Sequence, residues 1–123
     1  MNKIILVADD NPVMRDMLCE LFESEEGLEL CEQAVDGLDA IEKAERCRPD
    51  LIVMDFSMPV MNGLEAARIL KAVMPAVPII LFTMHAQELF SSGTAGSGVD
   101  AIISKGDMNH LVDRTRMLLT ASA

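Results

Sequence analysis

Three aspartates stand directly after short apolar runs. Asp9 and Asp10 follow Ile4-Ile5-Leu6-Val7 with only Ala8 between, and Asp55 follows Leu51-Ile52-Val53-Met54. Thr83 ends the run Ile79-Ile80-Leu81-Phe82, and Ser104-Lys105 end Ala101-Ile102-Ile103. Carboxylates gathered in one place repel each other and raise their own pKa values unless a cation neutralises them. Oxygen donors of this kind, without His or Cys, suit a hard ion such as Mg²⁺. A lysine and a hydroxyl beside that ion complete a site for a phosphoryl group, whose equatorial oxygens need positive charge and donors. The chain has no Walker pattern and no GxGxxG, so the site suits a small phosphoryl group and not a bound nucleotide.

These residues meet only if the runs are parallel strands, and the sequence supports that. All four runs are continuously apolar, as expected of strands buried on both faces of a parallel sheet. A weaker fifth, Leu28 to Ala34, alternates and carries charge, which predicts an edge strand. Helical patterns lie between them. Asn11-Pro12 reads as a cap and first turn ahead of a face made by Val13, Met14, Met17, Leu18, Leu21 and Phe22. A second helix starts near Asp36-Gly37, uses Leu38, Ile41 and Ala44, and stops before Pro49. A third follows Asn62-Gly63, buries Leu64, Ala67, Leu70 and Met74, and ends at Pro75. The last is capped by Asp107 and presents Met108, Leu111, Val112, Thr115, Leu118 and Leu119. Between Thr83 and Ala101, a short helix around Gln87 to Phe90 leads into the Gly/Ser-rich segment 91–98, expected to be mobile. Five strands alternating with helices give a (βα)5 doubly wound α/β fold, in which ligands sit beyond the carboxyl ends of the strands.

Composition bounds the function. The 123 residues suit one domain, 1–123 with a core of about 2–120, and the formal charge is −10 from 10 Lys+Arg against 20 Asp+Glu. That balance repels a polyphosphate backbone, so direct nucleic-acid binding is not expected. No run is long enough to span a bilayer, and no basic amphipathic surface helix is present. The N-terminus is unlike a signal peptide. Cys19, Cys31 and Cys47 are an odd count without metal-type spacing, which points to a reducing cytoplasm and ordinary buried thiols. The ten methionines fill a core short of aromatics.

Asp9-Asp10, then Asp55-Phe56-Ser57-Met58-Pro59-Val60-Met61-Asn62-Gly63, then Thr83 and Lys105, taken in order, resemble the response-regulator receiver domain of two-component signalling. The resemblance covers about residues 2 to 120 and implies a flavodoxin-like five-stranded sheet of order 2-1-3-4-5. It further implies that Asp55 is the phosphoacceptor, charged by a sensor histidine kinase, a phosphotransfer protein or a small donor such as acetyl phosphate. Asp10, Asp55 and the Ser57 backbone carbonyl would bind Mg²⁺ (or Mn²⁺), with Asp9 acting through water. Lys105 would pair with Asp55 and then with the phosphoryl oxygens, and Thr83 would sense the group. His85 and Ser57 would flank the hydrolytic water and set the lifetime of the modified state. Pro59 and Gly63 shape the loop and the start of the following helix. The face made by the fourth helix, fifth strand and fifth helix would address a downstream effector protein or effector domain, as a monomer or a phosphorylation-dependent dimer.

Three positions depart from the family pattern. Ile102 stands where an aromatic switch is usual, Gly106 replaces a common proline, and the fourth helix is Gly/Ser-rich; all three fall on the expected output face. The leading expectation is a phosphorylated switch and not an enzyme acting on outside substrates. One alternative is a pseudo-receiver, a binding module that ignores phosphate. Another is an Mg²⁺-dependent phosphohydrolase, but Ala8-Asp9-Asp10-Asn11 lacks the D-x-D spacing those enzymes use.

Overall fold

The computed structural model describes residues 2–92 and 97–121. Strands and helices alternate in the order β1 (Lys3–Ala8), α1 (Pro12–Glu23), β2 (Leu28–Ala34), α2 (Gly37–Cys47), β3 (Leu51–Met54), α3 (Gly63–Val73), β4 (Ile79–Thr83), α4 (Ala86–Ser92), β5 (Ala101–Ser104) and α5 (Met108–Ala121). The five strands form one parallel sheet of order β2-β1-β3-β4-β5. The predicted doubly wound fold and strand order are both present, and β2 is an edge strand as its charges suggested.

Side chains alternate across the sheet, so each strand feeds two cores. Leu6, Ile52, Met54 and Leu81 pack with the apolar sides of α2 and α3 and with Leu89 of α4. Ile5, Val7, Val53, Ile80 and Phe82 pack on the other side with Leu18 and Phe22 of α1 and Leu111 and Leu119 of α5. All four residues of β3 are buried. This two-sided burial explains why the central strands read as unbroken apolar runs.

The helix starts are built by local chemistry. Asn11 accepts from the Val13 and Met14 amides, and Pro12 occupies the first helical position, where its missing N–H has no partner to lose. Asp36 caps α2 by accepting from Asp39, and Asn62 and Glu65 cap α3 reciprocally. Asp107 accepts from the His110 amide at 3.3 Å ahead of α5.

Some sequence expectations need correction. Val13, Met17 and Leu38 are exposed, because the buried stripe of α1 runs through Leu18, Cys19 and Phe22, and that of α2 through Ala40, Ile41 and Ala44. The small residues Gly37, Ala40 and Ala44 join Ile41 in the buried stripe of α2, and Leu38 stands outside that stripe. The expectation of ordinary buried thiols holds for Cys19, which is free and buried. It fails for Cys47, which is disulfide-bonded, since tertiary packing and not linear spacing decides which distant cysteines meet. The Gly/Ser-rich segment 91–98 is helical to Ser92, and the mobility expected of it falls largely on residues 93–96, outside the described residues. Among the described residues no helix is long and apolar enough to cross a membrane.

Candidate functional site

Parallel strands deliver their carboxyl ends to one edge, and there the chemistry gathers. Asp9, Asp10 and Asp55 each offer a carboxylate oxygen, all lying within 4.8 Å of one another. Asp9 and Asp55 are buried, whereas Asp10 is exposed at the rim. Lys105 crosses from the end of β5 to meet both buried acids, with its Nζ 2.8 Å from Asp9 Oδ2 and 3.1 Å from Asp55 Oδ2. One ammonium against three carboxylates leaves the trio short of positive charge.

The surroundings push these groups in definite directions. Burial raises the Asp55 carboxyl above its ordinary range, opposed by the charge and hydrogen bond of Lys105. The neighbouring Asp9 charge raises it further, and the Ser57 backbone amide, donating to it, pulls it down. For Lys105, burial disfavours the ammonium. The close ion pair with Asp9 and the charges of both acids outweigh that, so its pKa is raised.

Thr83 is fully buried at the end of β4, beside β5. Its hydroxyl oxygen accepts from the His85 amide at 3.1 Å, leaving its O–H proton to be donated elsewhere. Its carbonyl accepts from the Lys105 amide at 3.1 Å. Ser57 and His85 are exposed, and the His85 ring stands edge-on to Phe56 with centroids 6.1 Å apart. Ile102 is not brought to the site. It aligns with Leu81 and packs, partly buried, into the core shared with α3 and α4.

The loop after β3 is held by two close backbone approaches. The Gly63 amide donates to the Phe56 carbonyl at 2.8 Å, and a Cβ at position 63 would overlap the Asp55 carbonyl oxygen. Gly63 is therefore required by contact with the backbone of Asp55, a stronger reason than loop shape. The signal missed in the sequence is the partner position, Gly37, which makes the same kind of approach to Met61.

The model of the response regulator receiver domain matches residues 5–116. The chain belongs to this family. Among curated proteins, a protein-glutamate methylesterase/protein-glutamine glutaminase of Pyrococcus abyssi is 43% identical over 84 residues, 68% of this chain and 23% of that protein. A Vibrio cholerae protein of the same description is 46% identical over 79 residues, 64% of this chain and 21% of the relative. The receiver chain thus spans about a quarter or less of the length of these two relatives. Among solved structures, the response regulator domain of Thermotoga maritima CheB superposes with a TM-score of 0.89 at 26% identity, covering 98% of each chain. TrrA of T. maritima, solved with Mg²⁺ and BeF, gives a TM-score of 0.84 at 30% identity over 94% of this receiver and 98% of TrrA.

The residues present fit a hard divalent cation. The donor set is all oxygen, it carries three negative charges, and one member, Asp10, opens to solvent where an ion can approach.

Proposed function

We propose that this receiver is a phosphorylation-controlled switch in which Asp55 accepts a phosphoryl group. The observation that carries the reading is Lys105 bridging two buried carboxylates next to a third, exposed one. Asp10 and Asp55, with the Ser57 carbonyl and with Asp9 through water, would hold Mg²⁺ or Mn²⁺. When bound, the cation neutralises charge on the phosphoryl oxygens.

An Asp55 carboxylate oxygen attacks the phosphorus of a phosphohistidine on a sensor kinase or phosphotransfer protein, or of acetyl phosphate. The new O–P bond forms as the donor's N–P or O–P bond breaks, and the donor group leaves with that electron pair. The Lys105 ammonium moves from a carboxylate partner to the phosphoryl oxygens, and the Thr83 hydroxyl donates to them. His85 and Ser57, both exposed, set how readily water attacks the modified aspartate. With Ile102 in place of a ring, the output face of α4, β5 and α5 responds by shifts of strand and helix and not by an aromatic flip. That face addresses an effector protein or domain; similarity to protein-glutamate methylesterases makes an effector of that class the first candidate. The chain acts in the cytoplasm without direct nucleic-acid binding, as a monomer or as a dimer formed on phosphorylation.

Incubation with Mg²⁺ and acetyl phosphate tests this by mass. Wild type gains about 80 Da, one phosphoryl group, and Asp55→Asn does not. An unmodified wild type at saturating donor and metal identifies a pseudo-receiver instead. If adduct forms, unchanged decay in His85→Ala and Ser57→Ala removes the lifetime role.

A further inference from the structure

Asp10 is the least supported member of the acidic trio. Among the described residues, no hydrogen bond or ion pair holds its carboxylate, and it is exposed. Its neighbour Asp9 is the opposite case. The Asp9 amide donates to the Ala34 carbonyl at 3.0 Å, and its Oδ1 accepts from the Asn11 amide at 2.9 Å. Its Oδ2 faces Lys105, and its carbonyl oxygen accepts from Arg15 Nη1 at 2.8 Å. The Arg15 Nε donates in turn to Gln33 Oε1 at 3.3 Å, which sets the direction of the guanidinium fork.

Arg15 lies in the first turn of α1, where the helix dipole disfavours a cation, so the helix gives no reason for it. The Asp9 carbonyl and the Asp10 amide share one planar peptide unit. Fixing the carbonyl oxygen therefore fixes the plane on which the Asp10 Cα, and the base of its side chain, must stand. We infer that Arg15 is a positioning residue for the cation site: its guanidinium, aimed by Gln33, holds the Asp9–Asp10 peptide so that the otherwise unsupported Asp10 carboxylate faces Asp9 and Asp55. This inference rests on the cation-binding reading of the site. Lysine keeps the charge at position 15 but not the two-pronged fork, so geometry and charge are separable.

The test measures Mg²⁺ binding to the unphosphorylated chain by calorimetry for wild type, Arg15→Lys, Arg15→Met and Gln33→Leu. Denaturation midpoints in EDTA and initial labelling rates with acetyl phosphate across Mg²⁺ concentrations accompany it. Both Arg15 variants are expected to raise the Mg²⁺ Kd about tenfold, the scale seen when outer-shell support of a metal ligand is removed. Gln33→Leu, at an exposed position, is expected to raise it by less, and serves if an Arg15 variant fails to fold. Labelling at saturating Mg²⁺ returns to within about twofold of wild type, a split that general unfolding would not produce. An unchanged Kd in Arg15→Met, or wild-type affinity in Arg15→Lys, overturns the inference while leaving the site reading intact. A wild type that binds no Mg²⁺ overturns both.

Discussion

The Gly37 amide donates to the Met61 carbonyl at 3.1 Å, and a Cβ added at position 37 would overlap that same oxygen. The first residue of α2 is thereby fastened to the loop that follows β3. Gly37→Ala forces the two backbones apart. It is expected to destabilise the chain by about 1–3 kcal/mol, the usual cost of overpacking, in urea denaturation. Stability equal to wild type would show that the loop can retreat without penalty.

Val60, in the same loop, has a φ of 69°, and the Met61 amide donates back to the Pro59 carbonyl at 2.7 Å across it. A β-branched residue in that left-handed turn is strained by about 1–2 kcal/mol. Its side chain is 77% exposed, so little packing is lost on replacing it. Val60→Asn, which tolerates the conformation, is expected to raise the melting temperature by a few degrees. A lower melting temperature counts against strain at this turn.

The native pKa of Asp55 lies above its unfolded value of 3.8, so the buried, ionised form costs stability at neutral pH. As pH falls through the raised value, the folded state takes up a proton before the unfolded state does, and that cost disappears. Asp55→Asn is therefore expected to melt above wild type at neutral pH, with the gap closing as the solution is acidified. Lys105 works in the alkaline window. Its stabilisation is complete below the unfolded value of 10.5 and is lost as pH rises through its raised native value. Parallel melting curves for both proteins across pH check the first effect; a gap that widens on acidification refutes it.

On the proposed reading of the acidic trio as a cation site, Mg²⁺ would bind the folded and not the unfolded chain, and would stabilise by linkage, by about 2.7 kcal/mol at one hundred times its Kd. Wild type is expected to melt higher in Mg²⁺ than in EDTA. Asp10→Asn, altered at an exposed position, is expected to fold normally and to lose most of that increment. Equal metal-induced shifts in the two proteins would remove Asp10 from the cation site.

The fold was legible because its central strands are buried on both faces, which writes them as apolar runs ending abruptly in Asp9, Asp55, Thr83 and Lys105. The site was legible for the same reason, since parallel order turns sequence position into spatial proximity. Helix orientation was less so: Leu38 and Met17 fit a periodic pattern, yet the buried stripes run through Gly37, Ala40, Ile41 and Ala44 of α2 and through Leu18, Cys19 and Phe22 of α1, and both are exposed. Backbone-to-backbone approaches such as Gly37 to Met61 carry no side-chain signature beyond a glycine, and glycines have many uses. The bonding of Cys47 depends on which elements pack together, which no local spacing encodes.

The hydrogen bond from the Lys105 amide to the Thr83 carbonyl acquires a mechanical meaning from the sheet order. It lies just past the Thr83–Ser104 rung between β4 and β5, and among the described residues β5 has no strand beyond it. An edge strand can slide against its single neighbour without breaking a second ladder. A pull on the Lys105 side chain would load β5 in shear, and Ile102 and Ile103, packed in opposite cores, are the contacts through which such a displacement would reach both layers of helices.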